Sequence, residues 1–365
     1  MKIGIISMQR VPNYGSYLQA LGLKSILAEM GHSVCFIDYK PEKPVVTYDK
    51  LSRAKYLLKS IPLVQYANDA IKFYVLKRKR FDYAYRLMYL RDLGVGYLYN
   101  YNENVDVAVI GSDEVFNCLQ AGFNVGFSPM LFGKGVNAKK IISYAASFGN
   151  TEIDGLINYG LKDRVAKYIQ QLNSISVRDT NSYNIVYQLI HHYPSLNLDP
   201  VLIADFSIPD IDVKIKDYII LYTYPSRKYS EEEISIIRGF AHNNNKKLIS
   251  IGNGQPWVDE YILVPPLEML AYFKKADFVI TDTFHGTVFS AKYNVPFATL
   301  VRDNNMQKLK DLTSRLHLDD RVMDSFADLQ RLYDNHKDFT ETNEIILEEK
   351  NNTFTYLEKA VGQEI

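Results

Sequence analysis

Short apolar runs alternate with stretches of helical spacing along most of the chain. Residues 3–7 form an apolar run that ends in a loop at 8–15. From 16 to 30, Leu18, Leu21, Ile26 and Leu27 recur at helical spacing before Gly31, a residue suited to a helix C-terminus. Residues 32–38 read as a second strand. Val105 to Ile110 is continuously apolar and closes on Gly111-Ser112-Asp113, the pattern of a parallel strand buried on both faces. Further strands are predicted at 140–146 and 174–177, with a helix over 152–172 between them. Strands that end in Gly, Ser or Asp loops and lead into helices describe a doubly wound α/β domain.

The pattern then restarts. Strands are predicted at 218–224, 247–251, 278–281 and 297–301, and helices at 230–243, 266–274 and 285–293. Pro194, Pro200 and Pro209 mark 194–216 as a linker, and from Thr340 a helical pattern returns with Leu347, Phe354 and Val361 on one face. The expected architecture is two Rossmann-like doubly wound domains facing each other across a cleft. The first spans 1–205, with a basic, Tyr-rich helical insertion at about 50–92. The second spans 206–335, and a C-terminal helix at 336–365 packs back across the domains. Ligands belong at the carboxyl ends of the strands.

Composition sharpens this picture in a few places. A chain of 365 residues exceeds what a single core usually supports, which is about 250–300 residues, so two domains are expected. The 42 Lys and Arg balance 42 Asp and Glu, and a neutral total argues against a nucleic-acid partner. The balance is a cancellation: residues 51–80 carry eight bases and one acid, residues 319–365 twelve acids and five bases. Ile61, Val64, Ala67, Ile71, Tyr74 and Val75 recur among those bases, so an amphipathic helix resting on an anionic membrane leaflet is one reading. A solvated face, or an ion-pair partner for the acidic C-terminal region, is the favoured alternative. Cys35 and Cys118 read as buried thiols in a reducing compartment. There is no membrane-spanning run, and the first apolar stretch is too short for a signal peptide. The expected location is cytoplasmic, with peripheral contact at the inner face of the cell membrane if the basic segment binds lipid. The 28 tyrosines and 18 phenylalanines mildly favour a cleft that handles sugars or nucleotides.

Four polar clusters follow predicted strands. Asp282, Thr283, Phe284, His285, Gly286 and Thr287 open a helix, where an anion is favoured and His285 is the natural proton carrier. The alternative is that Asp282 and Thr283 cap the helix while His285 packs. Arg178 stands at a strand end, placed either to bind a carboxylate or phosphate or to pair with Asp179 or Asp199. Gly111, Ser112, Asp113 and Asn117 form the third cluster; Asp113 would orient or deprotonate a hydroxyl, or else cap a helix. The fourth is Asn13, Tyr14, Gly15 and Ser16, suited to hydrogen-bonding a sugar or phosphate. No zinc spacing, dinucleotide fingerprint or serine-hydrolase elbow is present, so neither metal nor cofactor is expected.

Taken in order, the clusters resemble the polysaccharide pyruvyl transferase family. The resemblance covers about residues 3–320. It rests on Asn13-Tyr14-Gly15 with Leu18-Gln19-Ala20-Leu21, Gly111-Ser112-Asp113, the run from Ser143 to Gly149, Ser176-Val177-Arg178-Asp179 with Ser182, Asp199-Pro200-Val201, and Thr281 to Gly286 with Pro296. It implies a fold similar to GT-B glycosyltransferases. It also implies transfer of the enolpyruvyl group of phosphoenolpyruvate onto two hydroxyls of a sugar, free or lipid-linked, with His285, Arg178 and Asp113 as the catalytic set. Thr283 stands where several members carry an Arg; Arg302 or Lys308 is the candidate replacement, and the alternative for Arg302 is a solvated surface residue. Two other functions remain open on the residues alone: a GT-B-type glycosyltransferase using a nucleotide sugar, and a non-catalytic saccharide-binding protein of the same fold.

Overall fold

The computed structural model describes residues 1–42, 44–46, 65, 66, 69, 71, 80–120, 126–252, 254–302 and 305–362. Apart from positions 65, 66, 69, 71 and 80, the basic segment read at 51–80 lies outside the described residues, and so does its amphipathic pattern. The chain divides into two compact units. Met1–Lys77, Asp82–Ala204 and Glu349–Ile365 make up the first, and Arg78–Phe81 groups with Asp205–Glu348 in the second.

The first unit holds a six-stranded sheet built from β1 (Lys2–Ile6), β2 (Ser33–Phe36), β3 (Val105–Asp113), β4 (Ala138–Ala146), β5 (Ser176–Val177) and β6 (Ser195–Leu196). The order is β2-β1-β3-β4-β5-β6, and every pairing is parallel. Strand β3 sits between β1 and β4, and Val107, Ala108, Val109 and Ile110 are wholly buried, which explains its unbroken apolar run. Helix α1 (Tyr14–Glu29) begins two residues before the predicted start, because the Asn13 side chain accepts the Ser16 N–H and caps it there. Helix α2 (Arg80–Ala84) continues through a π-helical turn, Tyr85–Tyr89, into α3 (Leu90–Asp92).

The helix expected over 152–172 is two, α4 (Ile153–Asn158) and α5 (Lys162–Ile169), separated at Gly160, whose φ is 65°. Helix α6 (Thr180–Ile190), capped by Asp179, follows β5. The stretch read as a proline linker begins inside the domain, since β6 and α7 (Pro200–Ile203) both lie in it. A two-residue strand has no period to detect, and Pro200 starts a helix, at the position where its missing N–H costs nothing.

The second unit repeats the construction in another order. Its strands are β7 (Tyr218–Tyr222), β8 (Lys247–Ile251), β9 (Glu260–Ile262), β10 (Phe278–Thr281), β11 (Phe297–Leu300) and β12 (Val322–Met323). They lie β12-β11-β10-β7-β8-β9, again all parallel, the strand order of dinucleotide-binding Rossmann folds. Between them run α8 (Glu231–Asn243), α9 (Pro266–Lys275), α10 (Phe284–Lys292), α11 (Met306–Arg315) and α12 (Leu329–Asp334). Helix α13 (Thr340–Gly362) follows, starting where the sequence pattern placed it. Its buried stripe is Thr353, Leu357, Ala360 and Val361, while Leu347, expected on the apolar face, is exposed.

Doubly wound sheets leave a crevice where the strand order reverses, outside the carboxyl ends of the two strands that diverge there. In the first unit those strands are β1 and β3, and in the second β7 and β10. The core behind the second crevice depends on Phe278, wholly buried with its ring 5.9 Å from Phe240 and 5.4 Å from Tyr333. Phe278→Ala is expected to destabilise the second unit by about 3–5 kcal/mol, read as an earlier denaturant transition with the first unit's transition unmoved.

Candidate functional site

Each switch point carries a buried carboxylate network. In the first unit the loop after β1 and the end of β3 are joined by the Ser7 hydroxyl, which donates to the Ser112 carbonyl at 3.0 Å. Gly111 ends the apolar run with φ 128°, and a Cβ there would overlap the Tyr144 carbonyl oxygen of β4, so only glycine lets the two strands approach. Asp113 follows with φ 80°, and its carboxylate accepts from the Ser16 hydroxyl at 2.8 Å and the Glu114 N–H at 2.9 Å. It caps no helix.

Arg178 lies behind Asp113 and is almost wholly buried. Its Nη1 donates to Asp199 Oδ2 at 2.8 Å and stands 4.0 Å from Asp113 Oδ1. Burial alone would lower its pKa, but Asp199, Asp113 and Asp179 outweigh that and raise it, so the charge is fixed. The Asp199 ion pair offered as the alternative is therefore present. Asp199 also accepts the Val201 N–H at 3.0 Å, and the Ser112 hydroxyl lies 3.4 Å from it.

The serines of the run from Ser143 to Gly149 fasten this network. Ser143 Oγ and Ser176 exchange hydrogen bonds across β4 and β5, and Ser147 Oγ donates to Asp179 at 2.5 Å. Ser147 N–H in turn donates to the Asp113 carbonyl at 2.9 Å. Asn117 belongs to the neighbouring turn, donating to Glu114 and accepting from Thr151. Asn13 is committed to its cap, and Tyr14, Gly15 and Ser16 form the buried first turn of α1.

In the second unit the centre is Asp282, one residue past β10 and 1% exposed. Two guanidiniums converge on its Oδ2, Arg227 Nε at 2.6 Å and Arg302 Nε at 3.0 Å. The Thr223 hydroxyl donates to Oδ1 at 2.7 Å and itself accepts from Tyr229 at 3.0 Å. Burial, with Asp282 nearby, raises the Tyr229 pKa and keeps that phenol a donor. Arg302 is thus an ion-paired member of this cluster rather than a solvated surface residue, and its Nη2 lies 3.6 Å from Glu233.

Thr283 caps α10 by accepting the Gly286 N–H at 3.0 Å, and Thr287 donates to the Thr283 carbonyl and to Thr299. A Cβ at Gly286 would overlap Thr281 Oγ1. Phe284 is buried; His285 is half-buried, edge-on to Phe284 with ring centres 5.3 Å apart and 6.0 Å from Phe289. The structure thus brings Ser16, Ser112, Asp113 and Arg178 together in one unit, and Asp282, Thr283, Gly286, Thr287 and Arg302 together in the other. Arg227 is the residue that sequence reasoning missed. Its loop follows β7, and only the strand order reveals that this loop adjoins the one after β10.

The sequence profile described as Polysaccharide pyruvyl transferase matches residues 13–304. The chain belongs to that family. It is therefore a transferase of polysaccharide biosynthesis, and the matched span runs from the α1 cap through both carboxylate networks. No curated protein matches the chain. Among solved structures, a putative UDP-N-acetylglucosamine 2-epimerase from Listeria monocytogenes has a TM-score of 0.49 at 9% identity, covering 100% of this chain and 97% of that one. The UDP-GlcNAc 2-epimerase of Methanocaldococcus jannaschii, in complex with UDP-GlcNAc and UDP, gives 0.46 at 13% identity, covering 95% and 99%. A glycotransferase of kitacinnamycin gives 0.48 at 12% identity, covering 98% and 97%.

Among the described residues no group of three or more His, Cys, Asp or Glu could hold a metal ion, and no helix is long and apolar enough to cross a membrane. Cys118 is buried and Cys35 half-buried, both as free thiols.

Removing the Arg178 cation leaves Asp199 charged in a site closed to water. Arg178→Met is expected to cost about 3–5 kcal/mol, measured from the denaturant midpoint of the first unit. Adding Asp199→Asn to that variant removes the stranded charge and should recover most of the loss.

Proposed function

We propose that the transferase moves the enolpyruvyl carbons of phosphoenolpyruvate onto two hydroxyls of one sugar in a polysaccharide precursor, forming a cyclic pyruvate ketal and releasing phosphate. Family membership over residues 13–304 is the observation that carries this reading. The roles divide between the two networks. Phosphoenolpyruvate is a small anion with a phosphate and a carboxylate, and the second unit's cluster supports binding it. There two guanidiniums share one carboxylate beside the positive end of α10. Arg227 and Arg302 supply the charge that Thr283 does not.

His285, in the first turn of α10, is the general acid. It delivers a proton to the methylene carbon, which makes C2 electrophilic. One sugar hydroxyl attacks C2 and loses its proton; the C2–O bond to phosphate then breaks. The second hydroxyl adds to the same carbon, loses its proton and closes the ring. Asp113 orients and deprotonates the acceptor hydroxyl, with Ser16 beside it. Arg178, already paired with Asp199, is a positioning residue that keeps Asp113 aimed. Asn13, Tyr14, Gly15, Gly111, Ser112 and Asn117 shape the acceptor side, and Phe284, Gly286 and Thr287 the donor side. The protein is placed in the cytoplasm, where phosphoenolpyruvate is made. A lipid-linked acceptor at the inner membrane face fits the same chemistry.

The test is incubation with phosphoenolpyruvate and a panel of free and lipid-linked saccharides, following phosphate release and a pyruvate-sized mass gain on the sugar. Both are expected together, and His285→Ala should lower turnover by roughly 10²–10⁴-fold while melting as the wild type does. Phosphate release without mass gain, or a His285→Ala enzyme of near-wild-type rate, contradicts the proposal. Transfer from a nucleotide sugar in place of phosphoenolpyruvate would identify a glycosyltransferase.

A further inference from the structure

The first unit has a second polar hollow at the opposite end of its sheet. Before β5 and before β6 the chain meets α13 around an open cavity of about 200 Å³. Asn173, His192, Ser195 and Lys359 give it a polar wall, and the rings of Tyr193 and Tyr356 also line it. Tyr356 is anchored by donating to the Ser143 carbonyl at 2.7 Å, so its ring presents a fixed edge.

Tyr193 is 64% exposed yet held in place. It stacks on Tyr187 with ring centres 4.6 Å apart and planes 13° from parallel, and Tyr183 lies 6.1 Å away at 30°. His191 braces Tyr187 edge-on at 5.9 Å. The stack is rooted in the core through Tyr183, while Tyr187 and Tyr193 lie at the surface. What it produces is a rigid aromatic face beside a hollow lined by amide, hydroxyl, imidazole and ammonium groups.

We propose that this hollow binds a saccharide ring. The apolar C–H face of the sugar packs on Tyr193, and its hydroxyls reach Asn173, His192, Ser195 and Lys359. An amphipathic aromatic face at low entropic cost, next to convergent polar groups, is the chemistry that suits a sugar. The volume suits one ring. Nucleotide- or drug-sized ligands occupy pockets of about 300–1,000 Å³, and among the described residues no arginine lines this cavity. The choice of ligand class rests on the polysaccharide reading, but the place is separate from the reaction. From Ser174 to Arg178 the strand rises about 13 Å at the usual 3.3 Å per residue. A ring held here is therefore a further unit of the acceptor chain, not the one being modified.

Saturation-transfer NMR on the full-length protein, without phosphoenolpyruvate, tests this with cellobiose, lactose, chitobiose and mannobiose as probes. At least one should receive saturation. Its Kd should rise about fivefold or more in Tyr193→Ala and stay near wild type in Tyr193→Phe and in His285→Ala. Ser195→Trp, which fills the hollow, should abolish the signal and serves as the second variant. The inference is overturned if no disaccharide receives saturation, or if Tyr193→Ala and Ser195→Trp bind as the wild type does. Because no donor is present, failure of the transfer reaction and failure of this site are read separately.

Discussion

A carboxylate taken out of water has to be met by cations and hydrogen-bond donors, and in each unit one such carboxylate organises the open end of a parallel sheet. Asp199 is wholly closed off in the first unit and is met by Arg178; Asp282 in the second is met by Arg227, Arg302 and Thr223. Breaking either pair would leave a buried charge, so the surrounding loops are held to one arrangement. The rest of each site is built on that rigidity. Asp113 is aimed by its neighbours rather than by packing of its own side chain, and the α10 cap at Thr283 sits directly after the Asp282 anchor.

The two networks differ in a way that suits two substrates. In the first unit, Arg178 is enclosed by aspartates, and the group left facing outward is a carboxylate, Asp113, beside a serine hydroxyl. In the proposed reaction that environment orients the neutral acceptor hydroxyl and takes its proton. In the second, two arginines share Asp282 next to a helix N-terminus, and with Glu233 beside Arg302 the formal charges of the cluster balance. In the proposed reaction its guanidinium donors and the start of α10 meet the anionic donor. A sugar and phosphoenolpyruvate make these opposite demands.

Much of this was legible in the sequence because parallel strands advertise themselves. The runs at 247–251 and 278–281 match the observed strands residue for residue, and the polar residues after β3, β5 and β10 join the two carboxylate networks. What could not be read were the relations between distant segments. Ser143, in a predicted strand, and Ser147, just past it, carry no signal of a partner, yet they fasten β4 to β5 and to the α6 cap. Arg227 sits in an unremarkable loop whose importance comes from β7 lying beside β10, although β8 and β9 intervene in the chain. The two-residue strands β6 and β12 carry no periodicity. Thr283 looked like a missing cation; side chains 56 positions earlier and 19 later, Arg227 and Arg302, pair with the residue just before it, Asp282.

In the proposed reaction a proton is placed on the methylene carbon of phosphoenolpyruvate before or as a sugar hydroxyl adds to C2. Running the reaction in D2O and reading the ketal methyl group by NMR and mass spectrometry tests it most directly. One deuterium in each methyl group, with one phosphate released per ketal, is the predicted result. A methyl group without deuterium, an enolpyruvyl ether that retains its methylene, or no sugar product at all would contradict it.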